Sequence, residues 1–249
     1  MVERYLQVLR TDAPGLEDIA TTRQRLAGAF PRNATRRMTQ LGLLLGGVLQ
    51  EITLRDDDVV VYCSVYAESR ALEDFLVSFP SASPTLFQTS IHPSALQQVL
   101  ISRQQSVREV FPHTGRSQLV AHALRAAVLN DAPRVILCGG EERGSWLLER
   151  GAASDDAFAF AAVLTREPAD AMASVRLSLT DDEDGAFGLP EFFLALHQRQ
   201  PIERDIAPGL HLSLSWTCRA QVRRFSCAIP VRAGVMRSCG GSIACRRGR

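Results

Sequence analysis

The chain has 249 residues, 46% of them hydrophobic, with 28 basic residues against 27 acidic ones. That is the make-up of a globular protein able to bury a large core, as one sizeable α/β domain or two small ones. It excludes a helical membrane protein, because no apolar run of eighteen or more residues is present, and the opening residues lack the pattern of a signal peptide, so a cytoplasmic location is expected.

Residues 5–9 read as a first strand, with Asp12-Ala13-Pro14-Gly15 as its turn. Residues 34–50 carry an apolar stripe at helical spacing through Met38, Leu41, Leu44 or Leu45, Val48 and Leu49, with Asn33 as the expected N-cap. Residues 59–64, Val-Val-Val-Tyr-Cys-Ser, form a continuous apolar run rich in β-branched side chains, the mark of a central strand in a parallel sheet. A helix is expected over residues 69–79, ending at Pro80, then a loop through Pro84. Pro93 stands where a first helical turn tolerates proline, and Ala95, Leu96, Val99 and Leu100 continue that helix.

Residues 117–129 place Leu119, Val120, Ala123, Leu124, Ala127 and Val128 on one buried helix face. Residues 134–140 then read as a buried strand stopped by Gly139-Gly140. Two strands follow at 157–165 and 175–179, a helix at 189–197, and an alternating strand at 210–216. The fold class expected is α/β, a mixed and mostly parallel sheet flanked by helices.

Past residue 217 the character changes. Residues 218–249 hold eight arginines, no acid and four of the six cysteines, whereas residues 1–217 hold 20 arginines against 27 acids. Cys218, Cys227, Cys239 and Cys245 lack the paired spacing of a zinc site. The segment is expected to be a disordered tail or one translated out of its ancestral frame, dispensable for folding because few large apolar residues offset its ordering entropy. An arginine arm for nucleic acid is the other reading of the same charges, and no nucleic-acid partner is expected.

Four segments carry a resemblance: Arg36-Arg37-Met38-Thr39-Gln40-Leu41, residues 59–64, Ser83-Pro84-Thr85-Leu86-Phe87-Gln88-Thr89-Ser90-Ile91-His92, and residues 135–142 ending Gly139-Gly140-Glu141-Glu142. Together with residues 189–216 they resemble the β-ketoacyl-synthase-like N-terminal domain family, whose members are often chain-length factors of fatty-acid-like, polyketide or aryl polyene pathways. The resemblance spans most of residues 1–217 and implies the first half of a thiolase-like fold.

That family's nucleophilic cysteine sits at the N-terminal end of the helix over residues 117–129, where backbone N–H groups favour a thiolate. Here the stretch reads His113-Thr114-Gly115-Arg116-Ser117, without cysteine. Thr114 or Ser117 with His113 as base is the alternative of an acyltransferase, although a hydroxyl needs a well-placed base to react. The second half that ordinarily supplies two histidines is missing, and His122, His197 and His211 lie in a helix, near a helix end and in a strand.

The resemblance therefore implies a non-catalytic, chain-length-factor-like subunit of a dimer with a catalytic ketosynthase, with an acyl carrier protein as a further partner; Arg36 and Arg37 either contact that protein's acidic surface or simply begin a helix, the second reading being slightly favoured. The remaining alternative is a degenerate remnant without activity. No cofactor and no metal are expected; Asp181-Asp182-Glu183-Asp184-Gly185 lacks the ligand spacing of a calcium loop. A half-thiolase unit is further expected to leave one apolar face of its sheet uncovered.

Overall fold

A computed structural model describes residues 1–31, 33–182 and 184–217. The expectation about residues 218–249 lies outside them. In chain order the strands are β1 (Val2–Gly15), β2 (Val59–Ser64), β3 (Glu109–Thr114), β4 (Arg134–Glu141), β5 (Ala157–Thr165), β6 (Ala173–Leu179), β7 (Ile202–Ala207) and β8 (Leu210–Trp216). The helices are α1 (Ile19–Arg25), α2 (Gln40–Leu49), α3 (Ser69–Val77), α4 (Pro84–Ser90), α5 (Ser94–Ser102), α6 (Leu119–Leu129), α7 (Trp146–Glu149) and α8 (Leu189–Gln198).

All eight strands join one sheet in the order β3-β2-β4-β5-β1-β6-β8-β7. β2 runs parallel to both β3 and β4, and the other five neighbouring pairs are antiparallel. The expected mixed sheet flanked by helices is present, but the balance is antiparallel rather than mostly parallel. Parallel pairing needs a crossover, which α3 to α5 supply between β2 and β3 and α6 supplies between β3 and β4. The later strands reach their neighbours without one.

Alternation along the inner strands divides the core into two layers. Val59, Val61, Cys63, Val135, Leu137, Phe158 and Phe160 face the side of α6 and α8, while Val60, Tyr62, Ile136, Cys138, Ala159 and Ala161 face α2 and α5. On β5 both phenylalanines point one way, and Ala157, Ala159 and Ala161 point the other. Phe158 stacks on Phe193 of α8 with ring centroids 4.4 Å apart, and Phe160 meets Phe192 edge-on at 5.7 Å. The alanine side leaves room for α2, whose Leu41, Leu43, Leu44 and Leu45 are fully buried. Both faces of the sheet are thus covered within the chain, and the expectation of a bare apolar face is corrected.

Several local readings change as well. The stretch expected to turn at Asp12 to Gly15 continues β1 through a bulge that shifts its register against β5. Asn33 is in the left-handed region, and its side chain makes no capping hydrogen bond. Residues 34–37 form a 3-10 turn, and Thr39 is the true N-cap of α2, its hydroxyl accepting from Gly42 N at 3.0 Å. Pro84 opens α4 instead of closing a loop, with Ser83 as N-cap.

Gly139 and Gly140 do not stop β4; they lie within it because strands press in on both sides. A Cβ on Gly139 would sit 2.2 Å from the Cys63 carbonyl oxygen, and one on Gly140 would sit 2.1 Å from that of Phe158. Those are backbone atoms of paired strands, unable to yield locally. Gly140→Ala is therefore expected to cost at least about 2 kcal/mol by overpacking, read as a fall in Tm of about 4–8 °C. Gly28→Ala, where a Cβ meets nothing within 4 Å, serves as the control and should leave Tm in place.

Candidate functional site

The C-terminal ends of the parallel strands β2, β3 and β4 point to one side of the molecule, where open α/β sheets gather their sites. The polypeptide there is held by four buried carboxylates, Glu68, Glu73, Glu141 and Glu142, none more than 1% exposed. Glu141 accepts from the backbone N–H groups of Val65 and Tyr66 in the loop after β2. Glu142 accepts from Leu41 N in the first turn of α2 at 3.2 Å and from Arg70 N and Ala71 N in α3 at 2.9 and 3.4 Å. Glu68 receives Ala95 N of α5 at 2.8 Å. Glu73 receives Ser145 N and Leu147 N at 2.7 and 2.8 Å.

Each carboxylate satisfies N–H groups that a helix start or loop leaves without partners, and negative charge beside a helix N-terminus is favourable. Burial still dominates for two of them. It pushes the Glu141 carboxyl up to about 8 and that of Glu142 up to about 7, against the opposing pull of the backbone donors. Glu73 goes the other way: burial raises its pKa, but bonds from Leu147, Ser145 and Arg70 together bring it below the usual carboxylate range. These groups clamp the loops and are closed to solvent.

The Ser-Ile-His segment joins the same clamp. His92 stacks on Tyr62 with ring centroids 4.9 Å apart and lies 3.3 Å from a Glu68 carboxylate oxygen.

His113 and Thr114 are the last two residues of β3, not the start of a helix. α6 begins only at Leu119, after Gln118 in the left-handed region without a capping side chain. Thr114 is exposed, its hydroxyl 3.5 Å from the Val65 carbonyl oxygen. Ser117 is exposed in the turn. Among the described residues no hydrogen bond joins His113 to either hydroxyl, and His113 Nε2 is buried without a partner. Burial, then the nearby His122 and His92, hold the His113 imidazole below its ordinary pKa. Arg116 lies over the Tyr66 ring at 5.1 Å. The described cysteines, Cys63 and Cys138, are buried in β2 and β4, where burial pushes the Cys138 thiol up to about 12 and that of Cys63 well above its usual value.

His197 and His211 lie apart from this turn in the chain. His197 accepts or donates at Thr11 Oγ1 at 2.9 Å and stacks on Phe193, and His211 sits between Asp205 and Glu203 at 2.8 and 2.9 Å. No cluster of three metal-ligating side chains occurs among the described residues, and no described helix is long and apolar enough to cross a membrane.

Arg36 and Arg37 are exposed at the mouth of a cleft of about 260 Å³ beside α2, shared with Arg23 and Arg70. The buried glutamates escaped sequence reasoning, as did the partnership of Arg36 and Arg37 with Arg23. The one signal for them in the sequence is the Gly-Gly-Glu-Glu ending of β4, which marks where the clamp begins.

The turn between β3 and α6 carries no cysteine. No protein-family model and no curated protein sequence matches the chain. Among solved structures it is similar to a chain of the ketosynthase ApeO in complex with its chain length factor ApeC from Xenorhabdus doucetiae, with a TM-score of 0.63, 16% identity, and coverage of 86% of this chain and 100% of that one. It is also similar to the ishigamide ketosynthase/chain length factor, with a TM-score of 0.51 and 12% identity over 74% of this chain and 69% of that one.

Proposed function

We propose that the protein is a non-catalytic, chain-length-factor-like subunit that pairs with a catalytic ketosynthase in aryl polyene, polyketide or fatty-acid-like synthesis in the cytoplasm. The observation that carries this reading is the pairing of a ketosynthase-type fold with a β3–α6 turn that presents no thiol. The likeness to a chain covered end to end in a ketosynthase and chain length factor complex supports it.

The surface offers a partner site. β3 lies at one end of the sheet, paired only with β2, so its outer edge is a template for another strand. Phe111 on that strand is 37% exposed. Phe79 and Phe87, each half exposed, gather around Phe75 with ring centroids 5.3 Å away. Exposed apolar groups of this kind mark association surfaces, and side chains here would border the acyl chain held by the partner. An acyl carrier protein docks through its acidic surface on Arg36 and Arg37.

Co-expression with a full-length ketosynthase from the neighbouring genes tests the reading. The two chains are expected to copurify as a stable heteromer, and Phe111→Asp should break it without unfolding the chain. A strictly monomeric protein that leaves the ketosynthase unbound would overturn the proposal.

A further inference from the structure

Helix α8 lies between two hollows. Its inner side, Leu189, Phe192, Phe193, Ala195 and Leu196, is buried in the core. Its outer side carries Pro190, Glu191, Leu194, His197 and Gln198, all exposed and spaced three or four residues apart, so that they form one narrow strip. Leu194, at the middle of the strip, is 49% exposed. One flank holds a cleft of about 390 Å³ walled by Ala13, Phe158, Pro190 and Phe193, and the other a cleft of about 380 Å³ walled by Phe187, Ala195, Pro201 and Ile202. Both clefts reach Glu191 and Leu194.

The strip is complementary to its own reversed copy. Glu191 lies three residues before Leu194, and His197 three after it. Antiparallel pairing of two α8 helices about a two-fold axis at Leu194 therefore sets leucine against leucine and each Glu191 against the other copy's His197. The atoms that would meet are free. Glu191 uses Oε2 to accept from Gly188 N at 3.2 Å, and His197 uses Nδ1 at Thr11 Oγ1, 2.9 Å away. Among the described residues Glu191 Oε1 and His197 Nε2 make no hydrogen bond. With Thr11 donating to Nδ1, the ring carries its proton on Nε2 and can donate to a carboxylate.

Opposed helices also bring each positive N-terminal end beside a negative C-terminal end. A groove on either flank is what a second helical ridge needs for close packing. A partner whose strip was acidic throughout, or basic throughout, would satisfy only one end of this one.

We propose that the exposed strip of α8 is a docking surface for a second copy of this chain, paired antiparallel about Leu194. The contact centres on one 10-residue helix, so the association is reversible and not permanent. No residue of the strip belongs to β3, α3 or α4, and the proposal stands apart from the subunit reading.

Sedimentation velocity on the full chain over a hundredfold range of concentration tests it, and a reversible monomer–dimer equilibrium is expected. Leu194→Asp should weaken the dimer at least tenfold while Tm and circular dichroism are unchanged, because the side chain is half exposed. His197→Glu sets two carboxylates together and should weaken it likewise. Adding Glu191→Gln, which keeps an acceptor for Gly188 N, should recover most of that loss, a rescue that a purely structural role for His197 would not give. Phe111→Asp should leave self-association in place. A chain that stays monomeric over the whole range, a dimer indifferent to Leu194→Asp or His197→Glu, a His197→Glu defect that Glu191→Gln does not relieve, or a dimer broken by Phe111→Asp would overturn the proposal. Failure to bind a ketosynthase is read on a different experiment and overturns only the subunit reading.

Discussion

Thermal stability should be greatest near pH 5–6 and fall as the pH rises to about 8.5. Glu141 and Glu142 are the cause. In the unfolded chain their carboxyls release protons near the ordinary value of 4.5, whereas burial in the fold pushes them up to about 8 and about 7. The folded state therefore holds protons that the unfolded chain gives up. Their contribution is complete below about 4.5 and is lost as the pH climbs through 7 and 8, because ionised carboxylates must then be kept out of water.

A tenfold change in a group's proton affinity between the folded and unfolded states is worth about 1.4 kcal/mol, so the combined loss is of the order of a few kcal/mol. His211 acts in the same direction. Bonds to Glu203 and Asp205 raise its pKa, so its stabilisation is present below its unfolded value and disappears as the pH passes the raised one. Its exposure keeps that contribution small. Glu73 and Glu17 act oppositely, with depressed values whose stabilisation is lost as the pH falls below the carboxylate range. Melting curves at pH 5.5, 7.0 and 8.5 measure the balance, and Glu141→Gln with Glu142→Gln should flatten it. A wild-type Tm that rises with pH across this window would show that the loop N–H groups outweigh burial.

The second large effect concerns activity. Incubated alone with acyl and malonyl thioesters, the chain is expected to give no condensation product and no covalent acyl adduct, a deficit of at least about a thousandfold against a competent ketosynthase. The β3–α6 turn offers only exposed hydroxyls without a hydrogen-bonded base, and the described thiols are buried in their neutral form. Intact-protein mass spectrometry after incubation with acyl thioester is the measurement. An acyl mass on Ser117 or Thr114 that vanishes on Ser117→Ala or Thr114→Ala would replace the subunit reading with that of an acyltransferase.

Elements buried on both faces are legible in the sequence. The unbroken apolar runs of β2 and β4 and the stripe of α6 stand out, because burial leaves no polar position to blur the period. β3 is not legible. As an edge strand reading Glu-Val-Phe-Pro-His-Thr it is largely exposed and includes a proline, so its composition resembles a loop and its last two residues read as the approach to the following helix. Asn33 outranks Thr39 as a cap by residue type, but Met38 is buried against α2 and the helix can begin only after it.

The glutamates of the candidate site are hidden for a different reason. Glu142 meets Leu41, Arg70 and Ala71, partners 101, 72 and 71 residues away along the chain, so nothing local distinguishes it from a surface acid. Its Gly-Gly-Glu-Glu context locates it without revealing what it does.

β1 comes first in the chain yet sits fifth in the sheet, between β5 and β6, with Tyr5 opposite Thr165 on one side and Ser174 on the other. During synthesis it therefore waits, unpaired along both edges, until more than 150 later residues have left the ribosome. Its buried Arg4 waits too, since the carbonyls of Val128, Asn130 and Ala132 that it bonds arrive only with the end of α6. Closing so long a loop before the sheet can join is entropically slow. The strands β2 to β4 and the β6-β8-β7 group lie on either side of β1, and it is β1 with its neighbour β5, the first made and a much later strand, that joins them into one sheet.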